Sequence, residues 1–167
     1  MISSENVHAV AKKRENENLR FRSFLKSHAD PDELDRQFLA LHKELFAEYD
    51  CRKCGNCCRA FSTTLNEEEI SAIASQLGME RQEFVTQYLI EGSSGWELPA
   101  PCRFLGIDGK CQIQDHKPEE CRGFPYTDRP ERLWSLYSIL SSAEVCPVVL
   151  EILERLKGQY HFRRNRD

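Results

Sequence analysis

A chain of 167 residues holds one domain with a sizeable core plus appendages, and is too short for two large domains. With 30% charged residues and a mean hydropathy of −0.59 it reads as globular and highly charged, and no apolar run approaches the roughly 18 residues needed to span a bilayer. The formal net charge of −4 excludes a global attraction to nucleic acid or to an anionic membrane, and the N-terminus lacks the apolar core of a secretory signal, so a cytoplasmic protein is the expectation.

Three parts are predicted along the chain: an N-terminal helical extension over 1–50, a cysteine-cluster domain over 51–160, and a basic tail over 161–167 that reads as a solvated terminus. In the first part the run KKRENEN is polar all round and is expected to be solvated or frayed, followed by an apolar cluster at Leu19, Phe21, Phe24 and Leu25. Pro31 is placed to open a helix whose Leu34, Phe38, Leu41 and Leu45 form one stripe. No heptad persists long enough for a coiled coil, so two helices packing on the core are predicted.

CRKCGNCC follows, with Cys51, Cys54, Cys57 and Cys58 in eight positions. Asn66 then caps a helix with Glu69 three residues on, and Gly78 ends it. Ile70, Ile73, Ala74 and Leu77 are its buried face, continued by Phe84, Val85, Tyr88 and Leu89 of a second short helix. EGSSGWELPAP reads as a connector by composition. In CRFLGIDGKCQI the pair Asp108-Gly109 predicts a tight two-residue hairpin turn between Cys102 and Cys111.

Pro118 suits the first position of a short helix ending near Cys121, and GFP stops it. Tyr126 and Asp128 beside it read as turn and packing residues. A helix with Leu133, Leu136, Tyr137 and Leu140 inward comes next, then one opened by Pro147 directly after Cys146, with Val148, Val149, Ile152, Leu153 and Leu156 on its face. The fold class expected is α+β, mostly helical, with short helices and one β-hairpin around a cysteine-rich metal-binding centre.

Eight cysteines in a reducing compartment point to metal ligands or redox groups rather than a disulfide framework. The Cys-x-x-Cys spacing lets two thiolates converge on one ion, and its repetition over Cys51, Cys54 and Cys57 matches the run by which bacterial ferredoxins ligate clusters. Adjacent side chains on a non-helical backbone point apart, so Cys57 and Cys58 suggest two jobs: two centres of four cysteines, or one centre plus reactive thiols; one larger shared cluster is the third arrangement. One or two of Cys102, Cys111, Cys121 and Cys146 fit an ordinary buried role. Arg52, Lys53, Arg59, Arg103, Lys110 and Arg122 each adjoin a cysteine, where cations lower thiol pKa. His116 reads as a surface residue. No phosphate loop, H-E-x-x-H or G-x-S-x-G motif is present, and no catalytic residue is assigned.

CRKCGNCC, then PCRFLGIDGKCQIQDHKPEECRGFP over residues 101–125, then Cys146-Pro147, resemble in order the CxxCxxCC (YkgJ-type) cysteine-cluster family, described as zinc- or iron-chelating. The resemblance implies that Cys51, Cys54, Cys57, Cys58, Cys102, Cys111, Cys121 and Cys146 are the chelating set. Gln114 and Lys117 depart from the Tyr and Arg common in that pattern; neither is a candidate ligand. Three functions follow as expectations: an iron-sulfur protein linked to redox or electron transfer, a zinc-stabilised module that binds a protein partner, or a thiol-based metal-handling protein.

Overall fold

The computed structural model describes residues 1–162; the basic residues 163–167 lie outside them. In chain order the helices are α1 (Val7–Lys13), α2 (Glu15–His28), α3 (Pro31–Glu48), α4 (Asn56–Ala60), α5 (Glu67–Gln76), α6 (Arg81–Tyr88), α7 (Glu119–Gly123), α8 (Arg132–Ala143) and α9 (Pro147–Gln159). Three strands, β1 (Thr63–Leu65), β2 (Ile90–Gly92) and β3 (Gly95–Leu98), pair antiparallel in the order β1-β3-β2. The fold is mostly helical α+β, as its periodicities predict. No helix among the described residues is long and apolar enough to cross a membrane. The chain divides into two compact units, one made of Met1–Asp50 with the residues from Pro125 onward, the other of Cys51–Phe124.

The first unit is a helical bundle. Pro31 stands at the start of α3, and the Asp30 carboxylate accepts from the backbone N–H of Glu33 at 2.9 Å, so the helix begins where proline and cap agree. Leu34, Phe38, Leu41 and Leu45 are all buried, along with Val148, Val149, Ile152, Leu153 and Leu156 of α9. On α8 the buried face is Leu133, Leu136, Ile139 and Ala143; Tyr137, expected inside, is exposed, and Leu140 is half-buried. Either stripe satisfies helical periodicity, and the neighbours decide between them.

KKRENEN is helical rather than frayed, with Lys12, Lys13, Glu15 and Asn16 exposed as expected but its C-terminal end drawn inward. It spans the end of α1 and the start of α2, and Asn18 is buried. Lys157 of α9, only 4% exposed, directs its three ammonium protons to Glu17 Oε1 (2.6 Å), Asn18 Oδ1 (2.6 Å) and Glu154 Oε1 (2.7 Å), while Arg14 pairs with Glu154 at 3.2 Å. A buried ammonium is tolerable because every proton has an acceptor and the charges cancel; removing one member of such a group costs about 3–5 kcal/mol.

The second unit packs α5, α6 and the sheet around Leu65, Ile70, Ile73, Phe84, Val85, Leu98, Phe104 and Ile113. Asn66 and Glu69 form a reciprocal capping box, at 2.8 and 3.0 Å. At the other end of α5, Gly78 has φ +67, its N–H bonds the Ser75 carbonyl and the Met79 N–H bonds that of Ala74, which closes the helix with a left-handed cap. EGSSGWELP is a hairpin rather than a connector: Gly92 faces Gly95, Glu91 faces Trp96, and β3 is the central strand. Its strands are three and four residues long and rich in small residues, so alternation never develops far enough to be read.

Candidate metal centre

Two short turns carry the first four cysteines. Cys51–Lys53 forms one 3-10 turn, closed by the Cys54 N–H on the Cys51 carbonyl at 3.0 Å, and Gly55 then takes φ +65 to start α4. A side chain at Gly55 would be strained by that φ and would meet the Arg59 guanidinium at 2.9 Å. Cys57 and Cys58 sit on α4, a helical backbone, which overturns the expectation that an extended chain points them apart. Successive helical residues diverge by only about 100°, and the two thiols share a hydrogen bond.

The remaining segments are brought to this helix by main-chain bonds. The Cys102 N–H donates to the Cys58 carbonyl at 2.8 Å, directly after the cis Ala100-Pro101 peptide. Leu105 and Cys111 form a single antiparallel bridge, not two strands. The turn between them is also not the predicted two-residue type, since only Gly109 has positive φ (+80), with Gly109 N–H on the Gly106 carbonyl and Gly106 N–H on the Lys110 carbonyl. That is the pattern of a three-residue turn with a glycine bulge, which Asp-Gly serves equally well. Its consequence is proximity: a Cβ at Gly109 would lie 2.6 Å from the Arg52 carbonyl, so the hairpin tip rests against the first cysteine turn.

Cys121 lies on α7, where Pro118 is the residue before the helix rather than its first member. Two carboxylates fix that helix. Glu69 Oε1 accepts from the Glu119 N–H at 2.7 Å, and Glu120 Oε2 accepts from Thr63 Oγ1 (3.1 Å) and the Thr64 N–H (2.9 Å). The Thr63 hydroxyl also hydrogen-bonds Cys121. His116 is exposed.

Electrostatics identify which thiols share surroundings. The Cys57–Cys58 hydrogen bond raises Cys57 and lowers Cys58 to about 6, so the pair holds one proton and one negative charge more readily than two isolated thiols. Burial raises Cys102 to about 11 and also raises Cys111 and Cys121, and charge on Cys58 raises all three further. Cys51 acts on Cys57 in the same sense. Cys57, Cys102, Cys111 and Cys121 therefore all lie within electrostatic reach of Cys58, and Cys51 within reach of Cys57. All eight cysteines are thiols, and Cys146 is buried in the helical unit at the start of α9.

Of the cations next to cysteines in sequence only Arg59 is seen acting on a thiol, and the widest influence comes from Lys117, which adjoins none. Lys117 acts on Cys57, Cys58, Cys111 and Cys121, and Arg59 on Cys58. Arg103 is directed to the Gln87 carbonyl at 3.1 Å, Lys110 to Asp108 at 3.4 Å and Arg122 to the Lys117 carbonyl. Lys117 escaped sequence reasoning because its neighbours in the chain are not cysteines; only folding of the 114–121 segment brings it to them.

Soft thiol donors, half-buried and mutually repelling when ionised, suit a cation that would neutralise them, and zinc or iron fits that donor set. No three His, Cys, Asp or Glu side chains among the described residues stand preassembled around one ion. The fit is one of chemistry and neighbourhood. Fold and thiols together define a cysteine-cluster domain on a small α+β scaffold. Residues 50–147 match the CxxCxxCC family, described as "Putative zinc- or iron-chelating domain", and the chain belongs to that family. No solved structure matches the chain.

Proposed function

We propose that Cys51, Cys54, Cys57, Cys58, Cys102, Cys111 and Cys121 supply the thiolates of one centre holding more than one metal atom, an iron-sulfur cluster in a redox or electron-transfer protein. The observation that carries this is the hub at Cys58: together with Cys57, Cys102, Cys111 and Cys121 it links more thiols than the four that a single tetrahedral zinc takes, and Cys51 joins through Cys57. Bound iron would supply electron storage at that position. The residues' own part is to hold the thiolates close and to offset their charge through Lys117 and Arg59, while Glu69 and Glu120 keep α7 in register.

A zinc-stabilised module that binds a protein partner is the second reading, favoured by the exposed aromatic face on α8. Iron, zinc and acid-labile sulfide measured on protein purified without oxygen decide between them, with the visible spectrum recorded before exposure to air. Iron with matching sulfide is the expected result. Zinc without sulfide would transfer the proposal to the second reading, and metal-free folded protein would end both.

A further inference from the structure

Trp134 and Tyr137 lie one turn apart on α8 and are 70% and 67% exposed, although the core face of that helix is complete without them. Leaving two large rings in water forgoes burial worth about 1.5–3 kcal/mol for a side chain of this size. Alongside, α2 presents Leu19, 41% exposed, with Arg22 and Lys26 three and seven residues on, one stripe of that helix. Lys26 Nζ is 4.5 Å from the Trp134 ring centroid, and the Arg22 guanidinium carbon is 5.8 Å from that of Tyr137. Neither cation makes an ion pair among the described residues, and the buried Arg22 Nε has no hydrogen-bond partner.

We infer that this α2/α8 face docks an acidic segment of a partner protein that also carries aromatic or leucine side chains. The apolar side chains would cover Trp134, Tyr137 and Leu19, and its carboxylates would meet Lys26 and Arg22. Charge complementarity selects this occupant. An anionic bilayer is bound by clusters of about 4–8 basic residues and single-stranded nucleic acid by a groove of cations along its backbone, whereas two cations laid over two rings match a short acidic peptide. Guanidinium also pairs with a carboxylate in two-point geometry, so Arg22 suits the same occupant. The surface lies wholly in the helical unit and is independent of which metal the cysteines hold.

The test uses the full chain as purified and a fluorescein-labelled peptide of glutamate and aspartate around two phenylalanines, read by anisotropy. Saturable binding is expected, weakened roughly tenfold by Lys26→Glu and by Trp134→Ala with Tyr137→Ala, with a lysine-for-glutamate peptide preferring the Lys26→Glu protein. Should the aromatic variant melt early, the charge swap alone decides, since Lys26 is exposed. Equal binding by wild type and Lys26→Glu overturns the inference. So does binding of oligothymidylate or of phosphatidylserine vesicles without binding of the peptide.

Discussion

At Cys57 and Cys58 one proton is shared between two thiols on a single helical turn, and this makes the metal-free centre sensitive to pH in two directions. The hydrogen bond from Cys57, then Lys117 and Arg59, depress Cys58 to about 6, so its contribution to stability is present above the ordinary thiol value and is lost as pH falls through 6. Burial raises Cys102 to about 11, with Cys111 and Cys121 also up, and their contributions are present below the ordinary value and lost as pH rises past it. Metal-free, reduced protein is therefore expected to gain thermal stability between about pH 6 and the ordinary thiol pKa, near 8.5, and to lose it above. In mapped iodoacetamide labelling Cys58 should react well ahead of Cys102 at neutral pH, and Cys57→Ala should remove that lead. Equal rates at the two positions would contradict the shared proton. The grouping of Cys51, Cys54, Cys57 and Cys58 could be read from their spacing, but this coupling could not, because it depends on α4 being helical.

Elements are held in place by two glycines that look alike in sequence and differ in surroundings. Gly78 (φ +67) has nothing within 4 Å of a would-be Cβ, while Gly109 (φ +80) faces the Arg52 carbonyl at 2.6 Å. Substituting alanine at Gly78 is expected to cost only the left-handed backbone penalty, about 1–2 kcal/mol. Gly109→Ala adds a main-chain collision to the same penalty, so its loss in denaturant midpoint should exceed that of Gly78→Ala, and metal retention should fall with it. Equal losses would mean that the turn does not rest on the first cysteine loop. The caps at Asn66, Pro31 and Gly78 were legible because each is a local contract between a residue and its own helix. The β2–β3 hairpin and the outward turn of Tyr137 on α8 were not, since a three-residue strand carries no period and a helix with apolar residues on two sides is oriented by its neighbours.

Across the whole molecule the cysteines and the larger share of the apolar core are divided unevenly between the units. The helical unit buries Phe21, Leu25, Leu34, Phe38, Leu136, Ile139, Leu150 and Ile152 almost completely, with a satisfied charge network at Lys157. The unit Cys51–Phe124 has a ten-residue buried cluster, with Cys102 and Cys111 packed on its edge, and spends much of its length on short turns held by single bonds. Domains of that size gain little stability from their cores alone and lean on staples such as metal. Stripping metal from the reduced protein is expected to raise amide exchange over 51–60 and 102–124 by orders of magnitude while α3 and α9 stay protected. Hydrogen exchange read by mass spectrometry before and after chelation tests this directly. Unchanged protection in the cysteine segments would show that those turns stand without an ion, and would leave the thiols to reactivity rather than architecture. Loss spread evenly over both units would show instead that the helical core depends on the centre, against the self-sufficiency that its buried side chains imply.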